Sequence, residues 1–253
     1  MELDLFSYFI FILSAFTAGF IDAIAGGGGL ITVPTLLAMG MPPHLALGTN
    51  KLQASLGCLA AAIKFGLSGL INFKEIISGI LFTFMGSFVG TRVILHLDAG
   101  FLRYIIPVML VAIFIYTIFS HKVGESDKKA KLKPAIFWVI FGFSIGFYDG
   151  FFGPGTGSFW TFSLVAILGL NLKKAVANTK ALNLTSNIVS FATFAISSNV
   201  LWKVGFLMGT AAIIGAFLGA SLAIKREIKF IRGVFLFVVG ITILKLIFDI
   251  IFK

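Results

Sequence analysis

Charged side chains are scarce in this chain, 12% of its 253 residues against about 25% in a typical soluble domain. With 58% hydrophobic residues and a mean hydropathy of +1.06, the shortage excludes an ordinary soluble globule. Cysteine is nearly absent. Cys58 stands alone inside an apolar run, which rules out a disulfide within the chain and a cysteine-ligated cluster, and it reads as a small packing residue. The three histidines, His44, His96 and His121, fall in or near connectors and form no cluster with acids or cysteine, so neither a metal site nor a cofactor is expected. No Gly-Lys-Ser/Thr follows the glycine-rich stretches and no soluble βα unit surrounds them, which excludes a nucleotide loop. Acidic residues are half as numerous as basic ones, leaving a formal charge of +10. In a soluble protein that excess would suggest nucleic acid; here the cations crowd into short connectors, where orientation in a bilayer explains them and no nucleic-acid partner is expected.

What the chain has in abundance is apolar runs of bilayer length, at residues 5–24, 76–95, 102–119, 206–224 and 230–252. An all-α polytopic membrane protein follows. The first 24 residues begin with Glu2 and Asp4 instead of a basic region, so they read as a first transmembrane helix and not as a signal peptide.

The stretch AGFIDAIAGGGGLITVP, from Ala18 to Pro34, places four glycines in a row, Gly26 to Gly29, just after Asp22. Glycine is a poor helix former and a carboxylate in hydrocarbon is costly, so both need a reason. The pattern returns as GFYDGFFGPGTGSFWTF from Gly146 to Phe162. Gly19, Phe20, Asp22 and Gly26 match Gly146, Phe147, Asp149 and Gly153 at an offset of 127. Beyond a two-residue slip the offset is 129: ALGTNK at Ala46 to Lys51 matches AVANTK at Ala175 to Lys180, Gly86 and Gly90 match Gly215 and Gly219, and Arg103 matches Arg232. The chain is therefore expected to be a tandem duplication, with repeats at 1–120 and 135–253 joined by a lysine-rich linker at 121–134.

Lysine and arginine mark cytoplasmic connectors. The linker, 171–180 and 225–232 are rich in them, whereas 41–51 and 97–103 carry fewer, so equivalent loops lie on opposite sides. That requires an odd number of segments per half and an inverted-topology repeat. About eight full transmembrane helices are expected, plus two short broken or re-entrant helices at 30–40 and 158–170, each spanning roughly half the hydrocarbon at about 1.5 Å per residue.

A glycine run that opens a short helix bares backbone N–H groups at the positive end of its dipole, and two such ends would form an anion site at the bilayer midplane. Close helix packing is the alternative use of the same glycines. These motifs, with GTNKLQA in the first half and AVANTKALNLTSNI in the second, resemble the TauE/SafE sulfite exporter family, also called the 4-toluenesulfonate uptake permeases. The resemblance implies a multi-pass transporter of the bacterial cytoplasmic (inner) membrane that carries small sulfur-containing or carboxylated anions.

The candidate substrate-binding residues are Gly26, Gly27, Gly28, Gly29, Asn50, Lys51 and Gln53 in the first half, and Gly153, Gly155, Thr156, Gly157, Asn178, Lys180, Asn183 and Asn187 in the second. Lysine balances an anion's charge and amides orient its oxygens; the lysines equally suit snorkelling to the interface. Asp22 and Asp149 suit proton coupling, pairing with those lysines, or capping the glycine segment. Gly86-x-x-x-Gly90 and Gly215-x-x-x-Gly219 read as helix contacts. No catalytic residues are expected, because no serine or histidine dyad stands beside a polar partner. An intramembrane enzyme and a nontransporting assembly factor are the alternative readings. The expected partners are a small anion and the lipid bilayer, with a homodimer left open.

Overall fold

The computed structural model describes residues 4–102, 104–106, 108, 109, 126–226 and 230. The expected spans at 102–119 and 230–252, and the first part of the linker, lie almost wholly outside them. Among the described residues the ordered elements are all helices. They are α1 (Leu5–Ala25), α2 (Gly29–Ala38), α3 (Pro43–Leu67), α4 (Phe73–Leu95), α5 (Pro134–Phe151), α6 (Thr156–Ala166), α7 (Leu172–Ile196) and α8 (Trp202–Lys225). Local chemistry sets their ends. Asp4 caps α1 through the Ser7 amide at 2.8 Å, Pro43 opens α3, and Asn171 caps α7 through the Lys174 amide at 3.0 Å.

Helices at the matching sequence positions have matching lengths. α3 and α7 are both 25 residues long, α4 and α8 are 23 and 24, and α2 and α6 are 10 and 11. Four described helices, α1, α4, α5 and α8, are long and apolar enough to cross a bilayer, and they turn large apolar side chains such as Leu13, Leu81, Ile140 and Ile214 outward. Two of the roughly eight expected full spans lie almost wholly outside the described residues, and two more, α3 and α7, differ from these four in polarity. α3 and α7 reach about 37 Å, long enough to cross, yet they are too polar to face lipid. Thr49, Asn50, Lys51 and Gln53 on α3, and Asn178, Thr179, Lys180 and Asn183 on α7, are buried, so the apolar helices shield a polar centre.

Contacts fix the direction of each helix. Along α3 and α8 they advance together, Leu52 against Gly205, Leu56 against Gly209 and Lys64 over Phe217, so the two run parallel. The same holds for α4 and α7, where Ser87 meets Ser186 and Thr91 meets Ser190. α1 also runs parallel to α8, with Phe16 and Phe20 against Gly215 and Gly219, and α5 to α4, with Phe143 and Phe147 against Gly86 and Gly90. A methyl group at any of those four glycines would overlap a carbonyl oxygen of the neighbouring helix, which accounts for both Gly-x-x-x-Gly pairs as close contacts.

The short helices fold back. Leu36 and Met41, at the end of α2, share a core cluster with Phe11 and Ala15 of α1. α6 likewise returns along α5: Phe159 packs on Tyr148, Trp160 lies 6.4 Å from Trp138, and the Ile167 carbonyl accepts from the Lys131 amide just ahead of α5. Each pair, α1–α2 and α5–α6, is a helical hairpin. Because α5, parallel to α4, starts where α3 ends, the linker residues Ser126–Lys133 lie at the end of the molecule where α3 finishes. α7 starts there too, since the Lys128 amide donates to Gly169.

Candidate functional site

The two hairpin tips meet. α1 ends because Gly26 and Gly27 take φ of +83° and +99°, and the second hairpin turns through Gly153 and Gly155 at +100° and +84°, a region closed to most side chains. An added Cβ at Gly26 would fall 2.7 Å from the Gly157 carbonyl carbon, and one at Gly29 would fall 3.1 Å from Pro154 Cα, so the tips touch backbone to backbone. α2 and α6 begin at this contact. Turn bonds at both starts already engage most of their N–H groups: Leu30 donates to the Gly27 carbonyl, Ile31 and Thr32 to that of Gly28, Thr156 to that of Gly153, and Ser158 and Phe159 to that of Gly155. The Gly28 amide lies 3.2 Å from Asp22 Oδ1, and Gly29 and Gly157 line the junction.

Two ion pairs flank the junction and they are crossed. Lys51 of the first half donates to Asp149 of the second, at 2.6 Å to Oδ1 and 2.5 Å to the carbonyl oxygen. Lys180 of the second half pairs with Asp22 of the first, at 2.9 Å to Oδ2 and also through the Asp22 carbonyl. Charge in a bilayer interior is costly unless compensated, and each lysine here is neutralised by the opposite half. The pairs are unequal. The Lys51–Asp149 pair is sealed, at 1% and 3% side-chain exposure, with Ser186 donating to the other carboxylate oxygen; Asp22 retains 21%.

Between the tips lies a cavity of about 40 Å³, room for roughly three waters or one small anion. Fourteen of the expected site residues line it: Asp22, Gly27, Gly28, Gly29, Asn50, Lys51, Gln53, Asp149, Gly153, Gly155, Thr156, Gly157, Asn183 and Asn187. The other three do not. Gly26 packs on Gly157, Lys180 is buried behind Asp22, and Asn178 is buried beside the cavity with its side-chain oxygen unpartnered. The reading of both lysines as interface anchors is also overturned, since each is fully buried. Thr32 donates to Asn50 at 2.5 Å and Thr161 lies 3.3 Å from Thr179, so each short helix is pinned to the following long one at matching positions.

Sequence reasoning missed Cys58. Its Sγ lies 3.8 Å from Asp22 Oδ2 and 3.8 Å from Asn187 Nδ2, on the cavity wall. The signal was available in the repeat, because Cys58 is the counterpart of Asn187, and Ala54, also on the wall, is the counterpart of Asn183.

Comparison with known proteins decides the family, since the profile described as Sulfite exporter TauE/SafE matches residues 11–246. The chain belongs to the TauE/SafE family. Among TauE/SafE relatives it is similar to a "Probable membrane transporter protein" of Haemophilus influenzae, 44% identical over 234 residues that cover 92% of each chain. It is also similar to the "Probable membrane transporter protein YfcA" of Escherichia coli, at 40% over 235 residues covering 93% of this chain and 87% of the relative. The Bacillus subtilis "Probable membrane transporter protein YdhB" is 28% identical over 80% of this chain and 83% of its own length. No solved structure matches. Family membership and the apolar helices together make this TauE/SafE protein a multi-pass membrane protein.

Proposed function

We propose that this protein is a secondary transporter of a small anion, sulfur-containing such as sulfite or a sulfonate, or a related carboxylate, bound between the two hairpin tips. The cavity at the tip junction carries the reading, because it collects helix starts, amides and compensated charge in one place between the halves. The names of the relatives support transport as its purpose.

The two halves act as an inverted-topology repeat with alternating access. Supporting this, α3 and α7 run in opposite directions, as do α4 and α8, and the hairpins enter from opposite ends. Backbone N–H groups at the starts of α2 and α6 receive the anion's oxygens, and Gln53, Asn183 and Asn187 orient it. With its oxygen engaged by Thr32, Asn50 offers its amino group. The crossed pairs hold each lysine compensated while the carrier is empty, and an arriving anion competes with a carboxylate for the ammonium. Because each pair ties one half to the other, rocking of the halves must loosen one of them. The membrane is the bacterial cytoplasmic membrane, with the lysine-rich linker facing the cytoplasm.

Proteoliposomes containing the purified protein and a panel of sulfur oxyanions, sulfonates and carboxylates test this. Protein-dependent net movement of at least one anion is expected. Chemical conversion without net movement would point to an intramembrane enzyme, and neither movement nor product to an assembly factor.

A further inference from the structure

A second cavity, of about 250 Å³, opens between the last turns of α3 and α8, at the linker end of the molecule. Two lysines line it, Lys64 and Lys225, each in the final turn of its helix. Part of their presence is explained by the helix dipole, which favours cations at C-termini. That does not explain where the charges are directed. The Lys64 ammonium is turned across the cleft and lies 4.5 Å over the Phe217 ring of α8. Among the described residues neither lysine has a carboxylate partner, although the three ion pairs described elsewhere satisfy Lys51, Lys174 and Lys180. Both hydroxyls in the cleft are committed to their own helices, Ser68 to the Phe65 carbonyl and Ser221 to the Phe217 carbonyl, each at 2.7 Å. Two ammonium groups with no carboxylate partner among the described residues therefore line one space at the edge of the apolar zone.

The rest of the cleft suits a lipid. Leu67 and Ile224 line it, and Ile63, Phe217 and Leu218 continue the apolar surface outward along the same two helices. Lys173 donates to the Ile224 carbonyl at the rim, 3.1 Å away, Arg226 follows Lys225, and the lysines of the described linker lie at the same end of the molecule; of the described acids there, Asp127 is consumed by Lys174 and Glu75 accepts from Asn72. Basic pockets between membrane helices at such an end hold anionic head groups.

We infer that the α3–α8 cleft is a binding site for the phosphate of an anionic phospholipid, bracketed by Lys64 and Lys225 with the acyl chains laid along Leu67 and Phe217. Free phosphate shares the head-group chemistry but lacks the chains, so it serves as the separating arm. The test is native mass spectrometry of the full chain released from detergent with phosphatidylglycerol, phosphatidylcholine or inorganic phosphate. Retention of phosphatidylglycerol over phosphatidylcholine is expected, falling roughly tenfold or more in Lys64→Gln/Lys225→Gln and unchanged in Lys74→Gln, whose lysine lies at the same end outside the cleft. The single variant Lys225→Gln, at an exposed position, should lose part of the preference and shows the effect without any question of folding. Equal retention of both lipids, an unchanged preference in the double variant, or retention of inorganic phosphate as strong as that of the lipid would overturn the assignment. None of these readouts depends on anion flux, so the site stands or falls apart from the transport reading.

Discussion

At the scale of single residues, the crossed pairs are where charge and stability are most tightly linked. Removing one member of a buried pair leaves the other uncompensated, a loss of about 3–5 kcal/mol, whereas removing both is far milder. Lys51→Met should therefore destabilise the protein strongly, because Asp149 has 3% side-chain exposure and only Ser186 left as a side-chain partner. Lys180→Met should cost less, since Asp22 reaches the cavity and keeps the Gly28 amide. Thermal unfolding in detergent checks the order, and Lys51→Met/Asp149→Leu should recover much of the loss; a double variant as unstable as Lys51→Met would contradict the pairing. Both lysines and both aspartates were visible in the sequence as intramembrane charges. Their partnership was one of three open uses for the aspartates, and the crossing was not legible at all, because Lys51 and Asp149 sit 98 positions apart and nothing local ties them. Cys58 was misjudged for a related reason: a lone thiol in an apolar run looks the same whether it packs or faces a cavity, and only its counterpart Asn187 distinguishes the two.

Among the elements, the two hairpins depend on backbone that side chains would block. In Gly28→Val the new Cβ would stand 2.8 Å from the Ala18 carbonyl oxygen, and in Gly155→Val a β-branched residue would be forced to φ +84°. Both variants should insert in the membrane at normal levels and lose anion flux; full flux in both would return the glycines to a packing role. The short helices were legible because 10 or 11 apolar residues cannot span a bilayer, and the glycine runs marked their starts. The sequence did not show that α3 and α7 are inner helices, since length and mean polarity alone do not say which neighbours will cover them. At the linker, Asp127 accepts from Lys174 at 2.6 Å and from the Asn171 amide at 2.7 Å, contacts that hold its carboxyl below the usual 3.8. A depressed carboxyl stabilises above its unfolded value and loses that contribution as pH falls through its folded one. The protection factor of the Asn171 amide, its exchange rate taken relative to the intrinsic rate at the same pH, should accordingly hold at neutral pH and fall below about pH 4, and in Asp127→Asn it should change little over that range.

For the whole molecule, the offset of 129 residues made the duplication readable, and the distribution of lysine suggested that the halves oppose each other. The parallel pairing of α3 with α8 and of α4 with α7 supports the same arrangement from contacts that no single-sequence pattern encodes. Topology has its own check: with Cys58 replaced by serine, a Ser126→Cys label site should react with impermeant thiol reagents only from the cytoplasmic face, and labelling from outside would reverse the orientation. Alternating access between the hairpin tips is tested most directly by counterflow. Proteoliposomes loaded with an unlabelled transported anion and diluted into a trace of its labelled form should show a transient overshoot of label, absent in Gly28→Val and Gly155→Val at equal protein content. Label that merely equilibrates without overshoot, or an overshoot undiminished in both variants, would contradict a carrier site at the junction of the two hairpins.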